Sequence, residues 1–238
     1  MSKKSPTAWT AEHFIGGNPA IDLTNTVFTR HMPADDNDLL NSPQDVGNWF
    51  RFAGLATKAQ ANSISGILDP GFLESVQNLR EASFSVFDAL AAENPPASEA
   101  LGLLFEQAAE GFAANRLRPR ATYTTPEITR FDDPKGIAAF LAAISIEASI
   151  VLPRQRLHAC PRCGWLFVDT SRGGRRRWCS MQTCGNREKA TRHRVFRSNS
   201  PELAVTPNVR LRRSADVSMT TARTPSHGSG RIPAMGRT

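Results

Sequence analysis

The stretch 160-CPRCGWLFVDTSRGGRRRWCSMQTC-184 holds all four cysteines of a 238-residue chain, arranged as two close pairs. Two residues separate Cys160 from Cys163, four separate Cys179 from Cys184, and fifteen lie between the pairs. Each pair can offer two thiolates to one tetrahedral ion, and the intervening segment is long enough to fold back and join them. In a reducing compartment this spacing favours a metal site over two disulfides. Four sulfur ligands suit zinc, or less often an iron–sulfur cluster. A Cys160, Cys163, Cys179, Cys184 site leaves no position for water, so one bound Zn2+ is structural. Its contribution to folding is on the order of 10 kcal/mol.

Working outward, Cys160-Pro161-Arg162-Cys163-Gly164 reads as a metal knuckle, with Gly164 suited to the positive φ of such turns. Trp165–Asp169 reads as a strand, Gly173-Gly174 as a turn, and a return strand leads to Trp178-Cys179. Ser180 is placed to cap a helix running through Cys184 to Arg194. The module over 153–198 carries twelve Lys+Arg against Asp169 and Glu188, a formal +10. Eleven of the twelve are arginine, the side chain that grips phosphate bidentately and reaches guanine edges. The candidate contacts to nucleic acid are Arg175, Arg176, Arg177, Arg187, Lys189, Arg192 and Arg194. Aromatic interleaving beyond Phe196 is absent from this helix, which favours double-stranded DNA over stacking on single strands. An RNA-binding or protein-interaction finger is the alternative, because small zinc modules serve all three ends.

The charge of the whole chain hides a division. Residues 1–152 hold 11 Lys+Arg and 18 Asp+Glu, whereas residues 153–238 hold 18 and 4. Such asymmetry fits an acidic body joined to a polyanion-binding end. The body reads as helical. Asn18-Pro19 opens a helix to about Phe28, and Ser42-Pro43-Gln44-Asp45 opens a second with Val46, Trp49 and Phe50 inward. Asp69-Pro70 starts a long helix to Leu90. Ser98–Asn115 forms another, with Leu101, Leu104, Phe105, Ala108 and Phe112 facing the core. Ala121–Phe131 is expected to form a short hairpin turning near Pro126. Asp133-Pro134 opens an apolar helix stopped by Pro153. Glu147 interrupts that helix and its length is short for a bilayer, so it reads as a core element, with no membrane partner and a cytoplasmic location. The expected fold is mainly α: a helical domain over 10–152 with a short β hairpin, a zinc-ribbon-like finger with a basic helix over 153–198, and a disordered basic tail over 199–238.

Trp178-Cys179-Ser180-Met181, followed by Cys184-Gly185-Asn186-Arg187 and Lys189, resembles the CGNR zinc finger. Cys160-x-x-Cys163, Phe167 and Asp169-Thr170-Ser171 fit the same pattern, over about Arg154–Arg197. The chain ahead of it resembles the ABATE domain through Gly16-Gly17-Asn18-Pro19-Ala20-Ile21-Asp22-Leu23-Thr24-Asn25-Thr26 and Leu79-Arg80-Glu81-Ala82. The resemblance implies a helical N-terminal domain, zinc, and DNA binding in a bacterial, stress-induced transcription regulator. Relatives often stop soon after the finger, whereas about forty residues follow it here. That extension is either a nonspecific DNA-binding arm or idle sequence.

Asp22, Asn25 and Thr26 fall on one face of the first helix, and Arg80 lies in an otherwise apolar helix. They read either as a polar pocket for a small-molecule effector, with Asp22 paired to Arg80, or as a structural network tying two helices together. The body would then sense a ligand or form a homodimer. Asp35-Asp36 and Asp38 read as solvated charge, since the run lacks the glycine and terminal glutamate of a calcium loop. No G-x-S-x-G, phosphate loop or H-E-x-x-H is present, and the chain reads as no enzyme.

Overall fold

Several helices of this protein begin where a short polar side chain accepts from a free backbone N–H group. The computed structural model describes residues 5–33, 37–121 and 125–199. Asn18 accepts from Ala20 N–H at 2.8 Å and Pro19 takes the first position of α1, Pro19–Thr24. Ser42 caps α2, Pro43–Phe52, and its hydroxyl donates back to Asp45 Oδ2 at 2.8 Å. Thr57 and Gln60 cap α3, Lys58–Ser65, reciprocally. Then follow α4, Phe72–Ala91, and α5, Ser98–Ala113. Strands β1, Leu117–Arg118, and β2, Glu127–Ile128, pair antiparallel. Asp133 and Pro134 open α6, Pro134–Val151. The finger adds β3, Leu157–Ala159, antiparallel to β4, Leu166–Val168, and then α7, Asn186–Asn199.

α6 runs through the centre, packed against α4 and α5. It is the one described helix long and apolar enough to cross a membrane by those criteria, but here Ile137, Leu141 and Ala142 are wholly covered by protein. Leu157, Leu166 and Val168 of the finger join the same core as Ile21, Phe87 and Leu141. The described residues up to Ser198 thus form one compact unit, and the step at 152–153 is a change of charge rather than a gap in packing.

Several expectations need correction. α1 ends at Thr24, not near Phe28, because the following residues turn extended and pair with the chain ahead: Phe28 N–H donates to Asn37 O and Leu39 N–H to Thr26 O, each at 2.9 Å. The second strand falls within the expected Ala121–Phe131, but the first is Leu117–Arg118, ahead of Ala121, since Leu117 and Ile128 both bury against the core; residues 122–124 lie outside the described set. Phe105 and Phe112 are 54% and 42% exposed. α5 instead presents Leu104, Ala108 and Gly111 to the core, and a Cβ at Gly111 would collide with Ala139 Cβ. The helices approach too closely for a phenylalanine between them. α3 was not expected, although Thr57-x-x-Gln60 is its start signal. In the finger, β4 pairs backward with β3, and no return strand forms over 172–178. Asp35, Asp36 and residues 200–238 lie outside the described residues.

Candidate metal centre and basic surface

Cys160 follows β3, and the knuckle closes when Gly164 N–H donates to Cys160 O and Cys160 N–H to Trp165 O, both at 2.8 Å. Gly164 has φ +75°, and a Cβ there would meet Arg30 Cβ at 2.6 Å, so both backbone conformation and close approach require glycine. On the other side Ser180 accepts from Thr183 N–H at 3.3 Å. A wide π turn over Met181–Gly185, closed by Gly185 N–H to Ser180 O at 2.9 Å, carries Cys184 back beside Cys179.

All four sulfurs lie within 4.8 Å of one another, and none is in a disulfide. A tetrahedron of sulfurs around zinc has an edge of about 3.8 Å. Trp165, Phe167 and Trp178 wall the cluster, with Ile15 and Cys163 at its margin. Hydrogen bonds from Cys163, then Cys179, hold the Cys160 thiol far below its ordinary range. The bond to Cys160 pushes Cys163 up to about 12 and, with Cys163, drives Cys179 higher still. Crowding of Cys160, Cys163 and Cys179 thus favours one thiolate and opposes further ionisation among the three. A dication replaces the protons and lets all four ionise. The donor set therefore fits one structural Zn2+.

Among the residues that read either as an effector pocket or as a structural network, Asn25 ties the body to the finger. Asn25 Nδ2–H donates to Leu166 O at 2.8 Å, and Leu166 N–H donates to Asn25 Oδ1 at 2.9 Å. The carboxamide thus pairs with β4 as a neighbouring strand would. Beside it, Val168 N–H donates to Gly16 O at 2.8 Å, Trp165 Nε1–H to Val27 O at 2.6 Å, and Arg30 N–H to Cys163 O at 2.9 Å. The segment from Gly16 to Arg30 is the seat of the finger.

Asp22 does not pair with Arg80. Its Oδ1 accepts from Gly16 N–H at 2.7 Å. Burial raises its pKa to about 7 against the lowering effect of that bond. Arg80, 1% exposed, is held bidentately by Asp38, with both bonds at 2.7 Å. Its Nε–H donates to Glu81 Oε1 at 2.7 Å, and Thr26 Oγ1 lies 3.4 Å from Nη1. Asp38 is therefore a buried counterion, not solvated charge. It was missed because the Val27–Asp38 bridge that delivers it joins residues eleven apart across a polar loop. Arg30 was missed too: its guanidinium bonds Glu81 Oε2 at 2.5 Å and Thr24 O, and lies 3.8 Å from the Phe84 ring centre.

Among the expected nucleic-acid contacts, Arg175, Arg177, Arg187, Lys189, Arg192 and Arg194 are exposed. Arg176 is not available in the same way. It donates to Trp178 O at 3.0 Å and to Cys179 O, and its guanidinium carbon sits 4.7 Å from the Phe167 ring centre. Buried Asp169 fixes the arginine-rich loop by accepting from Ser171 N–H at 2.8 Å and Arg176 N–H at 2.7 Å. Bonding from Ser171 first, and Arg176 N–H with it, holds its pKa near 2. Arg177 packs over Trp178 at 5.1 Å. Glu188 bridges Arg162 at 3.3 Å and Arg192 at 3.4 Å. Arg175, Arg187 and Lys189 have no ion pair among the described residues.

Two outcomes follow. The carboxyl of Asp22 binds its proton more tightly folded than unfolded, where the ordinary value is 3.8. Its contribution is complete below pH 4 and is lost as pH rises through 7. The Asp22→Asn variant keeps an acceptor for Gly16 N–H without that loss. In urea titrations of zinc-loaded protein, its stability relative to wild type should climb from about pH 5.5 to pH 7.5. Parallel pH profiles would contradict the assignment. For the metal, Cys184→Ser should lower bound zinc, read by elemental analysis, from about one per chain to near none. Full retention of zinc would remove Cys184 from the ligand set.

Residues 17–148 match the sequence profile of ABATE, described as "Putative stress-induced transcription regulator". Residues 156–195 match that of the CGNR zinc finger. A comparison with curated proteins finds no match. The first match spans more than half of the chain, and the second spans the four-sulfur cluster and the basic helix built beside it. The chain belongs to the ABATE family and carries a CGNR zinc finger.

Proposed function

We propose that this chain is a DNA-binding transcription regulator of the bacterial cytoplasm. In this reading its zinc finger lays α7 and the loop over 172–177 on double-stranded DNA. The observation that supports it best is the pairing of exposed cations with a rigid mount. Arg187, Lys189 and Arg194 project from a helix that begins just after Cys184, and Arg175 and Arg177 from a loop pinned by Asp169. The metal orders the second knuckle, and the Asn25 bonds seat the hairpin, so the cations are held in place before contact. Zinc supplies only closed, structural coordination; the contact chemistry belongs to arginine and lysine.

Arginines on more than one side of α7 suit a helix lying in a groove, with one side toward base edges and the others toward flanking phosphates. Arg176 is assigned to holding the loop and Glu188 to aligning Arg162 and Arg192. The helical body is assigned the regulatory input, by ligand binding or by homodimer formation.

Titration of duplex DNA at rising salt tests this. Log affinity should fall linearly with log salt at about 0.9 per phosphate contacted. Arg187→Ala and Lys189→Ala should each reduce that slope by about one. Cys184→Ser should abolish the duplex complex. Binding that persists without zinc would move the contact to residues 199–238. Equal affinity for RNA would support the RNA-binding alternative, and no binding to either would favour a protein-interaction finger.

A further inference from the structure

A recess of about 290 Å3 opens where the segment before α1 meets the finger, at a place the expected effector residues do not touch. Its apolar wall is Ile15, Phe28 and Trp165, and Cys163, Cys179 and Cys184 of the metal centre line it as well. Phe28, in the bend that follows the Val27–Asp38 bridge, is 54% exposed. Arg187 and Arg162 come from the finger side. Arg162 is committed to Glu188, whereas Arg187 has no ion pair among the described residues. His13 completes the rim, its ring centre 6.5 Å from that of Trp165. Its Nδ1 lies 3.1 Å from both Thr10 N and Thr10 Oγ1, which fixes the ring at the rim.

We propose that this recess binds a small aromatic monocarboxylate. A ring would lie against Phe28, Ile15 and Trp165, and its carboxylate would take the fork of Arg187. The volume is at the low end for ligand sites, which limits the occupant to one or two fused rings. Glu12 on the same rim and the anionic four-thiolate zinc centre beside it both oppose added negative charge, so a single carboxylate on Arg187 is favoured over phosphates and dicarboxylates. Arg187 also belongs to the proposed DNA-contacting face, and one guanidinium cannot grip a carboxylate and a phosphate together. The ligand would therefore oppose DNA binding. That last step rests on the DNA-binding reading above; the binding step does not.

Calorimetry on the full zinc-loaded chain separates the two. Indole-3-acetate and salicylate serve as probes, with indole as the control lacking a carboxylate. The expected result is saturable binding at one site by at least one acid, weakened about tenfold or more by Arg187→Ala and about fivefold by Phe28→Ala. Both side chains are exposed, so zinc content should not change, and Arg120→Ala, remote from the recess, should bind as wild type. Indole should bind at least about tenfold more weakly than its acid. No saturable heat up to about 5 mM of either acid, or equal affinity in wild type, Arg187→Ala and Phe28→Ala, would overturn the site. For the competition, saturating probe should weaken the duplex complex about tenfold. Unchanged DNA affinity beside positive calorimetry would overturn the competition alone. Failure of all DNA binding would leave the calorimetric result to decide the site.

Discussion

The carboxamide of Asn25 occupies the edge of a strand. Its two bonds to Leu166 satisfy a buried N–H and a buried C=O that would otherwise face an apolar core. An unpaired group there costs about 1–3 kcal/mol, so the interaction matters more for what its loss would leave bare than for its own strength. The rest of the seam repeats the device. Gly16 O, Val27 O and Arg30 N–H each meet a finger group between Cys163 and Val168. Gly16 has to be glycine, because a Cβ would press on Ile21 Cγ2 at 2.7 Å and Asp22 Oδ1 at 2.8 Å. A two-strand hairpin is marginal alone. This one gains its third partner from the helical body and its fourth wall from a metal.

Charge extends the same connection inward. Asp38 clamps Arg80, Arg80 and Arg30 share Glu81, and Arg30 reaches the Cys163 carbonyl. Breaking such a pair by removing one member costs about 3–5 kcal/mol, because the other charge stays buried. The result is a continuous polar path from the loop before α2, through α4, to the first zinc knuckle. The body and the metal centre therefore have little freedom to rearrange independently.

Much of this was legible in the sequence where a signal is local. The four cysteines declared a closed metal site by spacing alone. Asn18-Pro19, Ser42-x-x-Asp45 and Asp133-Pro134 marked helix starts that the fold uses. What stayed hidden depends on contacts across the chain. Asp22, Asn25, Thr26 and Arg80 share a polar, helix-periodic signature that fits a pocket or a structural network, and their partners Gly16, Leu166 and Asp38 lie beyond any local pattern. The face of α5 could not be read from hydrophobicity, because Gly111 and Ala139 set the helix spacing and turn Phe105 and Phe112 outward. Arg176 has the same composition signal as Arg175 and Arg177, yet the Cys179 carbonyl and the Phe167 ring draw it in. In each case the local pattern was correct in kind and a distant neighbour chose its use.

The claim on which the account depends is that the finger and the helical body are one cooperative unit. Amide hydrogen exchange on the zinc-loaded chain tests it most directly. The account predicts that the N–H groups of Leu166 and Val168 exchange only as slowly as those of Val76 and Val86 in α4, through opening of the whole unit. In the Asn25→Ala variant the Leu166 and Val168 amides should lose protection first. Fast exchange at Leu166 and Val168 in the wild-type chain, with α4 still protected, would show a finger that opens by itself and would contradict the account.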